Sequence, residues 1–419
     1  MPTPAPDSSA ARSSGLVRQI AGALEQLVRT PELRGLLACN LALGMAASFV
    51  VPFLSLFCTR AVGMSLHGFG LFMTANALAN IAISTWLAER SDTRYSRRSL
   101  LVLSSACGVL GYAGFAVVRD PWLLFVIGGG VLGVASLTFS QLFACARELV
   151  ERSPLPKADV PLYMNAFRMV FALAWTVGPA LAAFTLERTS FEGLFGAAAA
   201  LYALLFAGVL VFVRGVKPPR AALGNEPAPR AADVWRQPGV LAWFAALTLM
   251  LAAHAISLNN MSLLVLHELG GTQAQIGLIF SLAPVFELPS MLYIGALATR
   301  MPSERLIRAA MAVAFFYYAG LACVRTPEQI YGLQLLSAAF VSVTSGVAIT
   351  FFQSKLPQQL GTATNLYANA SRLGQTSGYL TFGVVAAQFG HRGTAVACAL
   401  LALAALTLTA LPAARRLKA

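Results

Sequence analysis

Charge is what this chain lacks most: only 11% of its 419 residues are Asp, Glu, Lys or Arg, where a soluble globular chain carries about a quarter. A surface that poor in charge faces lipid, which excludes the soluble classes. Histidine is scarce, with four in all, and His267-Glu268-Leu269-Gly270-Gly271 has no second His one turn on, which excludes a zinc-helix hydrolase. No GxxxxGK loop followed by Ser or Thr occurs, so ATP-driven chemistry by this chain alone is not expected. The six cysteines, Cys39, Cys58, Cys107, Cys145, Cys323 and Cys398, sit singly in or beside apolar runs without a CxxC pair. That spacing offers neither a disulfide framework nor a metal site. No enzyme chemistry and no cofactor are expected.

Hydrophobic residues make up 57% of the chain. The Pro-, Ser- and Ala-rich start, Met1 to Ser14, precedes an apolar run that begins near Gly35, too long and too late for a cleaved signal peptide. A helix needs about 20 residues to cross about 30 Å of hydrocarbon. On that rule the spans are 35–57, 66–88, 99–118, 121–146, 162–186, 193–213, 239–264, 274–298, 306–324, 329–352, 365–389 and 394–412. The expected fold class is an all-α integral membrane protein of twelve transmembrane helices.

Lys and Arg in alternate connections number 23 on one side and five on the other, Arg60, Arg119, Arg188, Arg325 and Arg392. Basic residues near span ends stay on the cytoplasmic side, so both termini are expected there. The net charge of +13 is then topological, and no nucleic-acid partner is expected. The Pro-rich, basic connection 214–238 reads as a linker between six-helix bundles 35–213 and 239–412, with tails 1–34 and 413–419. The halves also repeat. At a shift of 207, Ser55-Leu56, Gly63 and Gly70-Leu71 recur as Ser262-Leu263, Gly270 and Gly277-Leu278. At a shift of 204, the LYxNAxR of Leu162–Arg168 recurs at Leu366–Arg372, and Arg188 falls on Arg392. Such duplication marks a secondary transporter, with two bundles rocking about a site at the midplane.

Ionisable residues inside hydrocarbon are functional candidates by default. Glu287 lies deepest, in the middle of span 8, with Pro289 two residues on. A carboxyl group there can load and release a proton as its surroundings alternate, or it can brace neighbouring helices. Arg168 and Arg372 enter spans 5 and 11; they pair with Glu287 or hold a polar substrate, or else they snorkel to the interface. The polar set Asn40, Asn76, Asn80, Gln141, Asn165, His254, Asn259, Asn260, Gln353, Asn369 and Gln375 describes a cavity suited to a hydroxyl-rich ligand, because amides both donate and accept. Interhelical packing is the other use for each. Asn80 falls on Glu287 at the shift of 207. Trp86, Trp175, Tyr163, Tyr293 and Tyr367 can stack on a sugar ring or serve as belt and packing residues.

After span 2 come Ala88, Glu89, Asp92, Arg94, Arg97 and Arg98, a pattern that resembles the loop signature of the major facilitator superfamily. Either acid fits it, and the shift of 207 favours Asp92. Asp92, Arg94, Arg97 and Arg98 latch a cytoplasmic gate on that reading, or simply retain positive charge inside. Trp175-Thr-Val-Gly178-Pro179 is similar to the end of that superfamily's antiporter signature, which gives Gly178 and Pro179 a gating role.

A longer set of stretches resembles the bacterial sugar efflux transporter family. It comprises Pro52–Phe57 with Val62-Gly63, Gln141–Ala144 with Ala146-Arg147-Glu148, Leu173–Pro179, Thr248–Met250, Glu268–Gly270, Phe286–Pro289 and Phe352-Gln353. Asn260 stands where that family often carries an acid. The resemblance implies a major facilitator fold in the bacterial inner membrane and a monomer exporting a small sugar substrate. The proton gradient drives the export, with Glu287 as coupling acid. A small-amphiphile exporter, a sugar–proton symporter and a non-transporting sensor are the alternatives.

Overall fold

The computed structural model describes residues 22–91, 96–213, 239–356 and 360–411, and every regular element among them is helical. A short helical stretch, 22–29, precedes α1 (Pro31–Ala61), α2 (Leu66–Ser91), α3 (Arg97–Val117), α4 (Pro121–Arg152), α5 (Val160–Thr189) and α6 (Phe191–Phe212). Then come α7 (Val240–Glu268), α8 (Gln273–Ala298), α9 (Ser303–Cys323) and α10 (Glu328–Lys355). Leu360–Ala410 is helical for 51 residues, roughly 75 Å at about 1.5 Å per residue, far more than one bilayer crossing. Gly390, at φ 69° and ψ −175°, breaks it into α11 (360–389) and α12 (391–410). Twelve spans therefore stand as expected. Asp92, Arg94 and the linker 214–238 lie outside the described residues.

Local chemistry starts these helices. Pro31 and Pro121 occupy first-turn positions, where the missing N–H costs nothing. Asp120 caps α4 by accepting from Leu123 N at 2.9 Å. Thr272 and Gln275 form a reciprocal capping box on α8.

The repeat is visible in the backbone. The ends of α1 and α7 widen to i→i+5 turns at Phe57–Ala61 and Leu264–Glu268. Gly63 (φ 76°) and Gly270 (φ 62°) follow them, in a left-handed conformation that glycine adopts at least cost. These positions obey the shift of 207. The shift of 204 does not survive. Gly70 on α2 packs against the carbonyl of Tyr379 and the backbone of Gly383, while Gly277 on α8 packs against the carbonyl of Pro179 and against Ala183. Tyr379 and Gly383 thus take the places of Pro179 and Ala183, a shift of 200. The LYxNAxR likeness is one helical turn out of structural register, so Arg168 and Arg372 are not equivalent. Arg188, in the last turn of α5, does not match Arg392, the second residue of α12. A helical face looks alike one turn on, which is why the sequence match is convincing.

Those glycines make the seam between the halves. It lies at the far face, the one opposite the chain ends, where α2 meets α11 and α5 meets α8. Phe69 stands edge-on to Phe382 with centroids 5.8 Å apart, Ser262 Oγ donates to the carbonyl of Pro52, and Ala274 N donates to Glu187 Oε1 at 3.1 Å. A Cβ on Gly70 would stand 2.7 Å from Gly383 Cα, an overpacking that costs about 1–3 kcal/mol. Gly70→Val is therefore expected to part α2 from α11, read as a longer distance between spin labels across the seam. Gly295→Ala, which meets nothing within 4 Å, is the control that leaves the distance unchanged.

Candidate functional site

With the far face closed, α5 and helices α7–α10 enclose a cavity of about 760 Å³, within the range of small-molecule sites. It runs from Leu24 and Leu162 near the terminal face to Met261, Ile279 and Phe280 below the seam. Glu287 sits on its wall halfway along α8, between Pro284 and Pro289. These prolines withhold two backbone N–H groups from the ladder without breaking the helix. Ser342 Oγ on α10 donates to the Glu287 carbonyl at 3.4 Å. The carboxylate itself has no ion-pair partner within 4 Å among the described residues. Arg168, on α5 of the other half, lines the same cavity close enough for its charge to act on Glu287.

Asn165 and His254 also line this space, with Trp175. Asn165 and Arg168 lie three residues apart, on one face of α5. The sequence reading missed a second polar group, in which Ser257 on α7 and Gln334 and Ser337 on α10 face the hydroxyl of Tyr317 on α9. The available signal was Gln334 and Ser337 at i,i+3 spacing inside an apolar run. The rest of the wall is largely apolar, including Met169, Leu258, Phe280 and Met291.

The other residues expected at the site lie elsewhere, and several are already occupied. Asn76 and Asn80 press against Gly128 and Gly133 of α4, with their Oδ1 atoms buried and unpartnered among the described residues. Gln141 is buried too. Asn259 donates to the Ala255 carbonyl of its own helix at 2.8 Å, and Asn260 is bound to His391. Gln353 donates to Thr364 Oγ1 at 3.0 Å, tying α10 to α11. Asn369 and Arg372 are exposed on α11, away from the cavity wall. These amides therefore do not converge on the cavity: Asn259 and Asn260 are taken by carbonyls and Gln353 by a hydroxyl, while Asn76, Asn80 and Gln141 pack within the first half.

Of the gating residues, Arg97 pairs with Glu148 of α4, and Arg98 Nη2 donates to the Leu210 carbonyl at 3.3 Å. Both contacts lie within the first half. Gly178 lets α5 approach α1, since a Cβ there would stand 1.8 Å from Ser48 Oγ. The carbonyl of Pro179 lies at the seam against Gly277.

The family model described as the Major Facilitator Superfamily matches residues 36–379 and again 260–418. A Deinococcus radiodurans protein described as a sugar efflux transporter is 36% identical over 381 residues, 90% of this chain and 96% of its own. Sugar efflux transporter A of Escherichia coli is 30% identical over 368 residues, 88% of this chain and 93% of its own. Among solved structures, the nucleoside transporter NupG matches with a TM-score of 0.74 at 16% identity, covering 91% of this chain and 99% of that one, a likeness of fold.

Asn260→Ala removes a bonded side chain that does not line the cavity. It is expected to lower stability by about 1–3 kcal/mol, seen as a drop in unfolding temperature, while ligand affinity in the cavity is unchanged.

Proposed function

The chain belongs to the major facilitator superfamily and, within it, to the sugar efflux transporters, and from that premise we propose that it exports small saccharides or glycosides in exchange for protons by alternating access. It is a multi-pass membrane protein. The observation that carries the mechanism is a single carboxylate, Glu287, in a cavity closed at one end and shared with Arg168 of the opposite half. The 23 to five bias of basic residues makes the terminal face cytoplasmic, so both chain ends lie inside and the cavity loads from the cytoplasm of a bacterial inner membrane. The protein works as a monomer, because each half supplies one member of the charged pair.

The proton acts through that pair. As a carboxylate, Glu287 attracts Arg168 across the gap between α5 and α8; as a neutral acid it does not. Proton loading from outside therefore releases one half from the other and favours return to the inward-facing form. Asn165, Ser257, Gln334, Ser337 and Tyr317 supply donors and acceptors for sugar hydroxyls, and Trp175 offers a face on which a pyranose ring can stack. The apolar remainder of the wall favours a second reading, export of small amphiphiles. Glycosides with apolar aglycones satisfy both walls.

Proteoliposome counterflow with a panel of sugars, glycosides and cationic amphiphiles, with and without a pH gradient, separates the two. Glu287→Gln is expected to reduce gradient-driven export by about tenfold or more while sparing exchange. Gradient-driven flux equal to wild type would remove Glu287 from coupling. Gln334→Ala is expected to raise KM for sugars by roughly tenfold and to change kcat little.

A further inference from the structure

At the far face a chain of hydrogen bonds runs from the first half into the second. Arg60 Nε, at the end of α1, donates to His267 Nε2 at 3.2 Å. His267 Nδ1 lies 3.4 Å from His391 Nε2, and His391 Nδ1 lies 2.9 Å from Asn260 Oδ1. Asn260 Nδ2 returns a bond to the His391 carbonyl at 2.9 Å. The Arg60 guanidinium has only donors, so His267 Nε2 must be an acceptor and the proton of that ring must sit on Nδ1. His391 then accepts at Nε2 and donates from Nδ1 to Asn260. Every link runs in one direction, and both rings must be neutral.

We propose that His267 and His391 form a proton-operated latch on the outer gate, in which a proton taken up by either ring removes an acceptor from the chain and releases Arg60, and with it the first half, from α7. A proton on His267 would set an N–H and a positive charge against the Arg60 N–H. A proton on His391 would set its Nε2–H against His267 Nδ1–H, which His267 relieves by carrying its own proton on Nε2 instead, where it faces the Arg60 N–H.

Among the described residues, Arg60, Glu268 and Arg392 are the charged groups beside the two rings. His267 meets Arg60 of α1, Glu268 of its own helix and His391 of α12. His391 meets His267 and Glu268 of α7 and adjoins Arg392. The Glu268 carboxylate is already engaged: Oε1 accepts from the backbone N–H of His391 at 2.8 Å and of Arg392 at 3.2 Å, and Oε2 from Arg392 Nε at 3.0 Å. It caps α12 and pairs with Arg392, so a histidinium would have to share this carboxylate with three donors already bound to it.

The fold does not require this arrangement. At the shifts of 207 and 200, the counterparts of Asn260 and His391 in the first half are Phe53 and Phe191, and Phe191 packs on Phe57 with centroids 5.5 Å apart. The same corner is held there by aromatic contact, which does not titrate.

From the reading above, the proposal takes only the sidedness of the membrane; the release itself is tested without substrate or gradient. Spin labels at Thr189→Cys and Arg325→Cys, both at exposed positions of the far face, report the gate in nanodiscs, with the exposed native Cys323 changed to Ser. Between about pH 7.5 and about pH 5.5, across the range where histidine titrates, the open-to-closed ratio is expected to rise about fivefold, the part of the tenfold limit set by one unit of differential proton affinity that this range spans. His267→Gln keeps an acceptor for Arg60 and a donor for His391, and His391→Gln keeps an acceptor for His267. The pair of changes together is expected to hold the gate closed at both pH values, and His267→Arg to hold it open at both. The response is expected to persist in Glu287→Gln, which separates the latch from the coupling carboxylate. No opening in the wild type, an unaltered response in the double glutamine variant, or a response abolished by Glu287→Gln alone would each overturn the proposal.

Discussion

The close approach of the two halves at one face is the contact on which the rest of this structure depends. Hydrocarbon offers no water to backbone groups, so the chain crosses it as helices. Helices meet closely only where side chains are small. Gly70 against Gly383 and Gly277 against the Pro179 carbonyl bring backbone to backbone on the far face. Helices pinned at one end splay at the other, and the cavity between α5 and α7–α10 is the space that the splay leaves. Glu287 and Arg168 face each other there instead of pairing directly because their helices belong to different halves.

The duplication explains the scaffold and its departures carry the chemistry. Both halves share the widened turns that end α1 and α7, the left-handed Gly63 and Gly270, and the break between their fifth and sixth helices, where Ser190 at φ 93° and Gly390 at φ 69° have nearly the same backbone. Against that common frame, Asn80 stands where Glu287 stands, and Phe53 and Phe191 stand where Asn260 and His391 do. The ionisable members of each pair belong to the second half. The titratable groups of the cavity and of the far-face cluster are thus concentrated there, while the first half supplies Arg168 to the one and Arg60 to the other. Each cation acts on a titratable group across the gap between halves, and an interaction that spans a moving gap can couple protonation to movement.

Most polar side chains in the spans have a plainer use. Asn40 donates to the Phe167 carbonyl at 2.6 Å and joins α1 to α5, and Gln353 ties α10 to α11. These contacts hold each half together as a unit. The cavity keeps few amides, Asn165 and Gln334, with hydroxyls and one indole around them, and a ligand with both hydroxyls and an apolar face suits such a wall.

The fold was legible in the sequence because hydrocarbon imposes a length and a composition on every span, and loop charge imposes sidedness, both properties of short segments. Glu287, Arg168, Asn165 and His254 were legible for the same reason, since each is conspicuous in an apolar run. Which amides face the cavity, whether Arg372 matches Arg168, and the meeting of His267 with His391 were not. A helical face repeats every turn, so a sequence match cannot tell register from register plus four, and an asparagine reads the same whether it meets a ligand or a carbonyl. The amino-acid sequence by itself determined the spans, their pairing into halves and the one deep carboxylate. Only the tertiary structure decided what each polar group touches, because contacts such as Asn40 with Phe167, Arg60 with His267 and His267 with His391 join residues more than a hundred positions apart and depend on which helices the seam draws together.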